Sequence, residues 1–202
     1  MHYSDENEQK SLGFQIEFIV TDDGCDSNVH PMLMNDYPWC RYCKGPGRGP
    51  AANRNYGASH ALGEWIVFTD DDCLPQPGWL EAFATYVQDA DVLEGRTSAY
   101  GRRNRVDEEV PTNEHGGSLI ACNFAIRSQI FNVLGGFNEG FPAPAMEDNE
   151  LNVRINRLSL QRKFIQTALV LHPWRRRKGI SYQKSHAESV AYFVKLLSLI
   201  HI

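Results

Sequence analysis

Ile66-Val67-Phe68-Thr69-Asp70-Asp71-Asp72-Cys73-Leu74-Pro75 is the stretch on which the fold turns. Apolar, strand-favouring residues run straight into three carboxylates, and the Pro77-Gly78 turn pair follows. The run reads as a buried strand whose acids sit where it leaves the sheet. Ligands of open α/β sheets bind at the carboxyl ends of the strands. Two like charges ~4 Å apart repel by roughly 4 kcal/mol at an effective dielectric of 20, and a cation removes that penalty. Carboxylate oxygens suit Mg²⁺, Mn²⁺ or Ca²⁺. In an extended chain Asp70 and Asp72 point to one side and Asp71 to the other. An Asp-x-Asp metal site is therefore one reading, and an acidic turn capping the next helix is the other.

Upstream, residues 14–20 form a second apolar, β-branched run ending in Thr21-Asp22-Asp23-Gly24-Cys25-Asp26. One acidic strand end is a turn; two in one small chain suggest a shared polar site. Residues 27–38 have no clear period and read as loop, and residues 39–43 as a short strand. Gly45-Pro46-Gly47-Arg48-Gly49-Pro50 is a flexible loop that opens a helix over residues 51–63. Downstream, residues 78–89 carry Trp79, Leu80, Phe83 and Val87 at helical spacing, and residues 91–97 are a strand. The charged stretch 100–117 is a surface loop or a lid over an acceptor. A helix over 128–134 stops at Gly135-Gly136, and a second opens at Met146-Glu147-Asp148. Acids cap helix N-termini, which is the plain account of Glu147 and Asp148. Residues 164–171 form a further strand, which runs into His172-Pro173-Trp174-Arg175-Arg176-Arg177-Lys178.

At 202 residues the chain can bury one core, and 42% hydrophobic and 22% charged residues place it among globular proteins. A net charge of -5 argues against a general nucleic-acid partner. No apolar run approaches the roughly 20 residues of a membrane span. Residues 1–10 lack the apolar centre of a signal peptide. Five cysteines, an odd number, favour free thiols and a cytoplasmic setting. Cys40 and Cys43 have no second pair to complete a zinc site. The expected organisation is a polar lead-in over 1–13, one α/β domain over 14–178 and an amphipathic helix over 179–202. Val190, Phe193, Val194, Leu197 and Ile200 make that helix's apolar stripe, for packing, a partner, or the inner face of a membrane.

The order of these pieces resembles the family 2 glycosyltransferases of the GT-A fold. The matching stretches are Val20-Thr21-Asp22-Asp23-Gly24, Asn53-Arg54-Asn55-Tyr56-Gly57, Gly63 through Asp72, Gly135-Gly136-Phe137-Asn138-Glu139 and Glu147-Asp148-Asn149-Glu150-Leu151. The resemblance implies a GT-A, Rossmann-like, mostly parallel sheet flanked by helices. It also implies an inverting transferase that uses a UDP- or GDP-sugar donor and a divalent metal, Mn²⁺ or Mg²⁺. The acceptor would be a glycan or a lipid-linked sugar, in polysaccharide, glycolipid or cell-envelope synthesis. By motif match Asp22, with Asp23 beside it, contacts the nucleotide base, with Arg54 near. Asp70 or Asp71 holds the ribose. Asp72, with Asp70 and His172, completes the metal site. Asp148 is the general base, with Glu147 beside it. The family's first strand and helix have no counterpart before residue 14, so the resemblance also implies an N-terminally truncated sheet. A non-catalytic or fragmentary nucleotide- or sugar-binding module of the same fold is the alternative.

Overall fold

The computed structural model describes residues 13–25, 27–177 and 179–199. The expected lead-in before residue 13, and Asp26, Lys178 and Ile200, lie outside the described residues. The chain runs β1 (Ile19–Asp22), α1 (Val29–Asp36), β2 (Arg41–Lys44), α2 (Pro50–Ser59), β3 (Trp65–Phe68), β4 (Leu74–Pro75), α3 (Trp79–Ala84) and β5 (Val92–Tyr100). It continues β6 (Glu108–Glu109), β7 (Phe124–Arg127), α4 (Ser128–Leu134), α5 (Glu147–Asn156), β8 (Arg162–Pro173), β9 (Arg175–Arg176) and α6 (Ile180–Leu199).

β1 and β2 pair in parallel. Among the described residues no strand joins this pair to the five-stranded sheet, whose order is β3-β7-β5-β8-β4. The α/β fold is as expected, but the sheet is mixed rather than mostly parallel. β5 and β8 are parallel, whereas β7 runs against both β3 and β5, and β4 against β8. Parallel neighbours need a long crossover, usually a helix. β4 follows β3 after only a tight turn, and β7 is entered from the 101–123 segment, which contains no helix.

Alternating side chains of the sheet feed two cores. Ile66, Phe68, Val92, Phe124 and Ile126 face α2, α4 and α5, where Ala58, Phe131, Leu151 and Ile155 meet them. Leu93, Ala125, Ile165 and Val170 face α3, which contributes Trp79, Leu80 and Phe83. Burial on both sides explains the apolar runs of β3 and of residues 124–126 in β7. Gly135 (φ 77°) caps α4 in the left-handed region and Gly136 (φ 71°) continues the turn. Phe137 is thereby delivered into the cluster of Phe68, Phe124 and Phe131. A Cβ on Gly136 would collide with Asn55 Oδ1.

The register of β5 on β8 shifts once. Gly95 lies opposite Ile165, and Arg96 opposite Leu169. Gln166, Thr167 and Ala168 therefore form a bulge, which Asn123 spans by donating to the carbonyls of Arg96 and Ala168.

α1 replaces the loop expected over 27–38. Leu33 is its one buried residue, while Met32 and Met34 are about half exposed, so it has almost no apolar face to give a period. β1 begins later than residue 14, at Ile19. α6 packs, as the plainest of its three readings required. Ser189 is fully buried and exchanges two hydrogen bonds with the backbone of Ala143. Tyr192 meets Phe141 edge-on, with centroids 5.1 Å apart. No helix among the described residues is long and apolar enough to cross a membrane.

Candidate active site

Acids at the end of β3 and at the start of α5 are brought together by α2. Pro50 starts that helix and the Ala-rich sequence sustains it. Arg54, projecting from α2, donates to Asp70 Oδ1 at 2.6 Å and lies 3.6 Å from Glu147 Oε1. Its guanidinium also stands 5.7 Å from the Phe137 ring centroid. One cation thus links the strand-end acids to the Glu147-Asp148 pair, which lie 77 residues apart in sequence counting from Asp70 to Glu147.

The segment after β3 is not extended. The amide of Cys73 donates to the carbonyl of Asp70 at 3.2 Å, closing a turn. The same-side expectation for Asp70 and Asp72 fails for that reason. Asp70 turns to Arg54, Asp71 is exposed, and Asp72 turns toward β8 and β9. Among the described residues one group has metal-ligand spacing: Asp72, Cys73 and His172, each offering an atom within 4.8 Å of the others. Asp70 is not in it.

His172 is buried, and its Nδ1 lies 2.8 Å from the carbonyl oxygen of Pro173. A carbonyl only accepts, so in the neutral ring Nδ1 carries the proton. Nε2 then turns its lone pair toward Asp72, 3.9 Å away. A ring nitrogen oriented by a backbone carbonyl is the usual arrangement of a metal-binding histidine. An oxygen and a nitrogen donor fit Mn²⁺ or Mg²⁺. The Cys73 thiol is held protonated, chiefly by its hydrogen bond with Cys122 and then by burial, so it is a poor third ligand. Arg175 Nε donates to Asp72 Oδ2 at 2.6 Å, and its Nη2 reaches the same oxygen. A guanidinium thus stands where a cation would.

Asp148 and Glu147 open α5, behind Met146 in the left-handed region at φ 72°. Non-glycine residues rarely adopt that conformation, and it marks strain. Burial pushes both carboxyls above their ordinary range. The amides of Asn149 and Ala121 and the charge of Arg54 pull Asp148 back only in part. Glu150 does not add to the repulsion at this helix start. Arg154 clamps it, with bonds of 2.8 and 2.6 Å, and also binds the carbonyls of Leu134 and Gly136.

The acids after β1 are engaged locally. Asp22 accepts from the Gly24 amide at 2.9 Å and the Tyr42 hydroxyl at 3.2 Å. The Gly24 amide is the main reason its carboxyl is held below the usual range. Asp23 accepts from the amides of Gly47 and Gly49 and so shapes the glycine-rich loop. Tyr42 and Asn123 carry no motif of their own, whereas Arg175 belongs to the basic run after His172, whose cations suit a departing diphosphate. The basic run after His172 was the one available signal for Arg175.

The model of glycosyl transferase family 2 matches residues 7–141, and the chain belongs to that family. No curated protein matches it by sequence. Among solved structures it is similar to residues 1–349 of S. aureus TarS, with 16% identity and a TM-score of 0.60 over 78% of this chain and 51% of that one. TarS in complex with UDP-GlcNAc is similar at 19% identity and a TM-score of 0.60, over 82% of this chain and 51% of that one. GalNAc-T7 with UDP, GalNAc and Mn²⁺ is similar at 17% identity and a TM-score of 0.62, over 85% of this chain and 39% of that one. The chain thus spans about half or less of the solved chains it resembles. Its fold is the GT-A fold of these structures.

Proposed function

We propose that the chain is the core of a metal-assisted, inverting glycosyltransferase that takes its sugar from a UDP-sugar. The observation that carries this reading is the Arg54 bridge, which places the acids after β3 and the acids opening α5 around one cation. UDP or UDP-GlcNAc in the similar structures, and Mn²⁺ in one of them, support the donor class and the metal.

In this reading Asp72 and His172 hold the metal. When bound it acts as a Lewis acid on the departing diphosphate. Arg175 leaves Asp72 and adds its charge to the same phosphates. Asp22 and Asp23 hold the nucleotide end, Asp23 through the loop it shapes. Asp70 and Asp71 lie on the ribose side, with Arg54 fixing Asp70. Asp148 accepts the proton of the attacking acceptor hydroxyl as that oxygen bonds to the anomeric carbon and the nucleoside diphosphate leaves from the opposite face. Its raised pKa makes it a stronger base than an exposed aspartate. Glu147 lies beside it, on Arg54. The acceptor is a glycan or lipid-linked sugar.

Calorimetric titration of UDP and GDP, with and without Mn²⁺, tests the donor site. The expected result is UDP binding that needs the metal and disappears in Asp72→Ala. A folded chain that binds neither nucleotide refutes the reading. It would favour a non-catalytic relative, in which Arg175 holds Asp72 permanently.

A further inference from the structure

The segment between β5 and β6 is a braced turn that presents an apolar tip among arginines. Glu108 holds its base by accepting from the amides of Asn104 and Arg105 at 2.9 and 3.0 Å. Arg103 folds across the top, its guanidinium donating to the carbonyls of Arg105 and Val106. The Val106 side chain is left 90% exposed. β9 pairs with β6 and so brings the basic run after β8 alongside. Trp174 Nε1 donates to the carbonyl of Gly101 at 3.3 Å, next in the chain to half-exposed Tyr100.

Residues 101–109 and 174–177 carry six arginines against three acids, an excess of positive charge in a chain of net charge -5. Asp107 pairs with Arg105 and Glu109 with Arg177. Arg102 and Arg176 are exposed and have no ion-pair partner among the described residues. Arg103 spends its donors on neutral carbonyls, so its charge is uncompensated as well.

We propose that this ribbon docks on an anionic phospholipid surface, with Val106 entering the headgroup region and the arginines meeting lipid phosphates. Guanidinium forks match phosphate oxygens two at a time. Tyrosine and tryptophan suit the boundary between water and hydrocarbon. A soluble polyanion would match the charges but leave Val106 and Tyr100 in water, and the apolar tip is the reason to choose the lipid. The contact lies on the ribbon and not on α6, whose Ser189 is turned into the protein. Arg175 of the same ribbon reaches Asp72, so a docked chain holds the Asp72 site close to the bilayer. No nucleotide or metal takes part, so the surface is independent of the glycosyl-transfer reading.

Flotation of the full chain with vesicles, without metal or nucleotide, tests this. Vesicles of equal parts phosphatidylcholine and phosphatidylglycerol are compared with phosphatidylcholine alone. Binding is expected only to the anionic vesicles, and it is expected to weaken steeply from about 0.1 M to about 1 M salt, as the screening length falls from roughly 10 to 3 Å. Arg102→Gln and Arg176→Gln, both at exposed positions and checked for folding by circular dichroism, are each expected to weaken partitioning by about fivefold. Val106→Asp is expected to weaken it by about tenfold. The proposal is overturned if the anionic vesicles are not bound, or if binding is unchanged in both folded arginine variants. Vesicle binding that Val106→Asp leaves unchanged also overturns the lipid assignment. If inorganic polyphosphate then binds with the same dependence on Arg102 and Arg176, the ribbon is a site for a soluble polyanion instead.

Discussion

Burial raises the Asp148 carboxyl and outweighs the backbone amides of Asn149, Ala121 and Asp148 itself and the Arg54 charge, each of which lowers it. The helix dipole and the neighbouring acids, which the sequence sets against each other, are therefore not the deciding effect. Two consequences carry opposite signs. A base must be ionised to work, so the acid limb of the rate profile is expected above the usual carboxylate value of about 4. Asp148→Asn should leave UDP-sugar binding nearly intact and lower turnover by about 10²- to 10⁴-fold. A steady-state rate equal to wild type would take Asp148 out of the role. For stability, a folded pKa above the unfolded one means that ionisation opposes folding. The contribution is full below about pH 4 and lost as pH rises through the folded value. Asp148→Asn is accordingly expected to melt higher than wild type at pH 7 and to lose that advantage near pH 4. Arg175 gives a third test at this scale. Its ion pair with Asp72 is half exposed and so is worth about 1 kcal/mol or less. Arg175→Ala should tighten Mn²⁺ binding in the absence of nucleotide by up to roughly fivefold, read by calorimetry.

Short elements far apart in sequence close the molecule around the site. β6 and β9, two residues each, pair as Glu108 with Arg176 and Glu109 with Arg175. Arg177 adds an ion pair with Glu109 at 3.0 Å and donates its amide to Asp107. The charged 100–117 stretch and the basic run after β8 are thus two halves of one ribbon. Neither half has a period to read, and nothing local ties acids at 107–109 to arginines at 175–177. By contrast α4 is legible to the residue, because Gly135-Gly136 ends it, and β3 is legible from its apolar run. Glu94 anchors the root of the same loop. It is buried, pairs with Arg162, and accepts from Asn113 and the Gly117 amide. At the other end of the site, Ser189→Ala would leave the buried amide of Ala143 without its partner. A cost of about 1–3 kcal/mol is expected, measurable by denaturant unfolding.

Across the whole molecule, one amide side chain holds three parts of the fold together. Asn123 accepts from Trp79 of α3 at 2.8 Å while donating to β5 and β8. A Cβ on Gly95 would collide with it. Gly95→Ala should therefore cost about 1–3 kcal/mol, as overpacking of a closed core does, with a matching fall in thermal midpoint. The sequence presents Gly95 as an unremarked residue in a strand and Asn123 as an oddity in an apolar run. Their meaning lies in a contact between segments that no local pattern encodes. The same holds for Asp72, whose acid is plain in the sequence but whose direction depends on a turn.

The bulge in β8 has a consequence of parity. Side chains on a strand alternate between faces, so an odd surplus of residues exchanges the faces beyond it. Ile165 before the bulge and Val170 after it are of opposite parity, yet both enter the core against α3. Gln166, Thr167 and Ala168 are a surplus of three. Were the strand unbroken, His172, seven residues beyond Ile165, would fall on the other face of the sheet, away from Asp72. Odd and even loop lengths are therefore not equivalent here. Removing one of the three residues leaves six steps from Ile165 to His172, so an unbroken strand keeps the facing side while sliding along β5; removing two leaves five, and an unbroken strand then turns His172 away from Asp72.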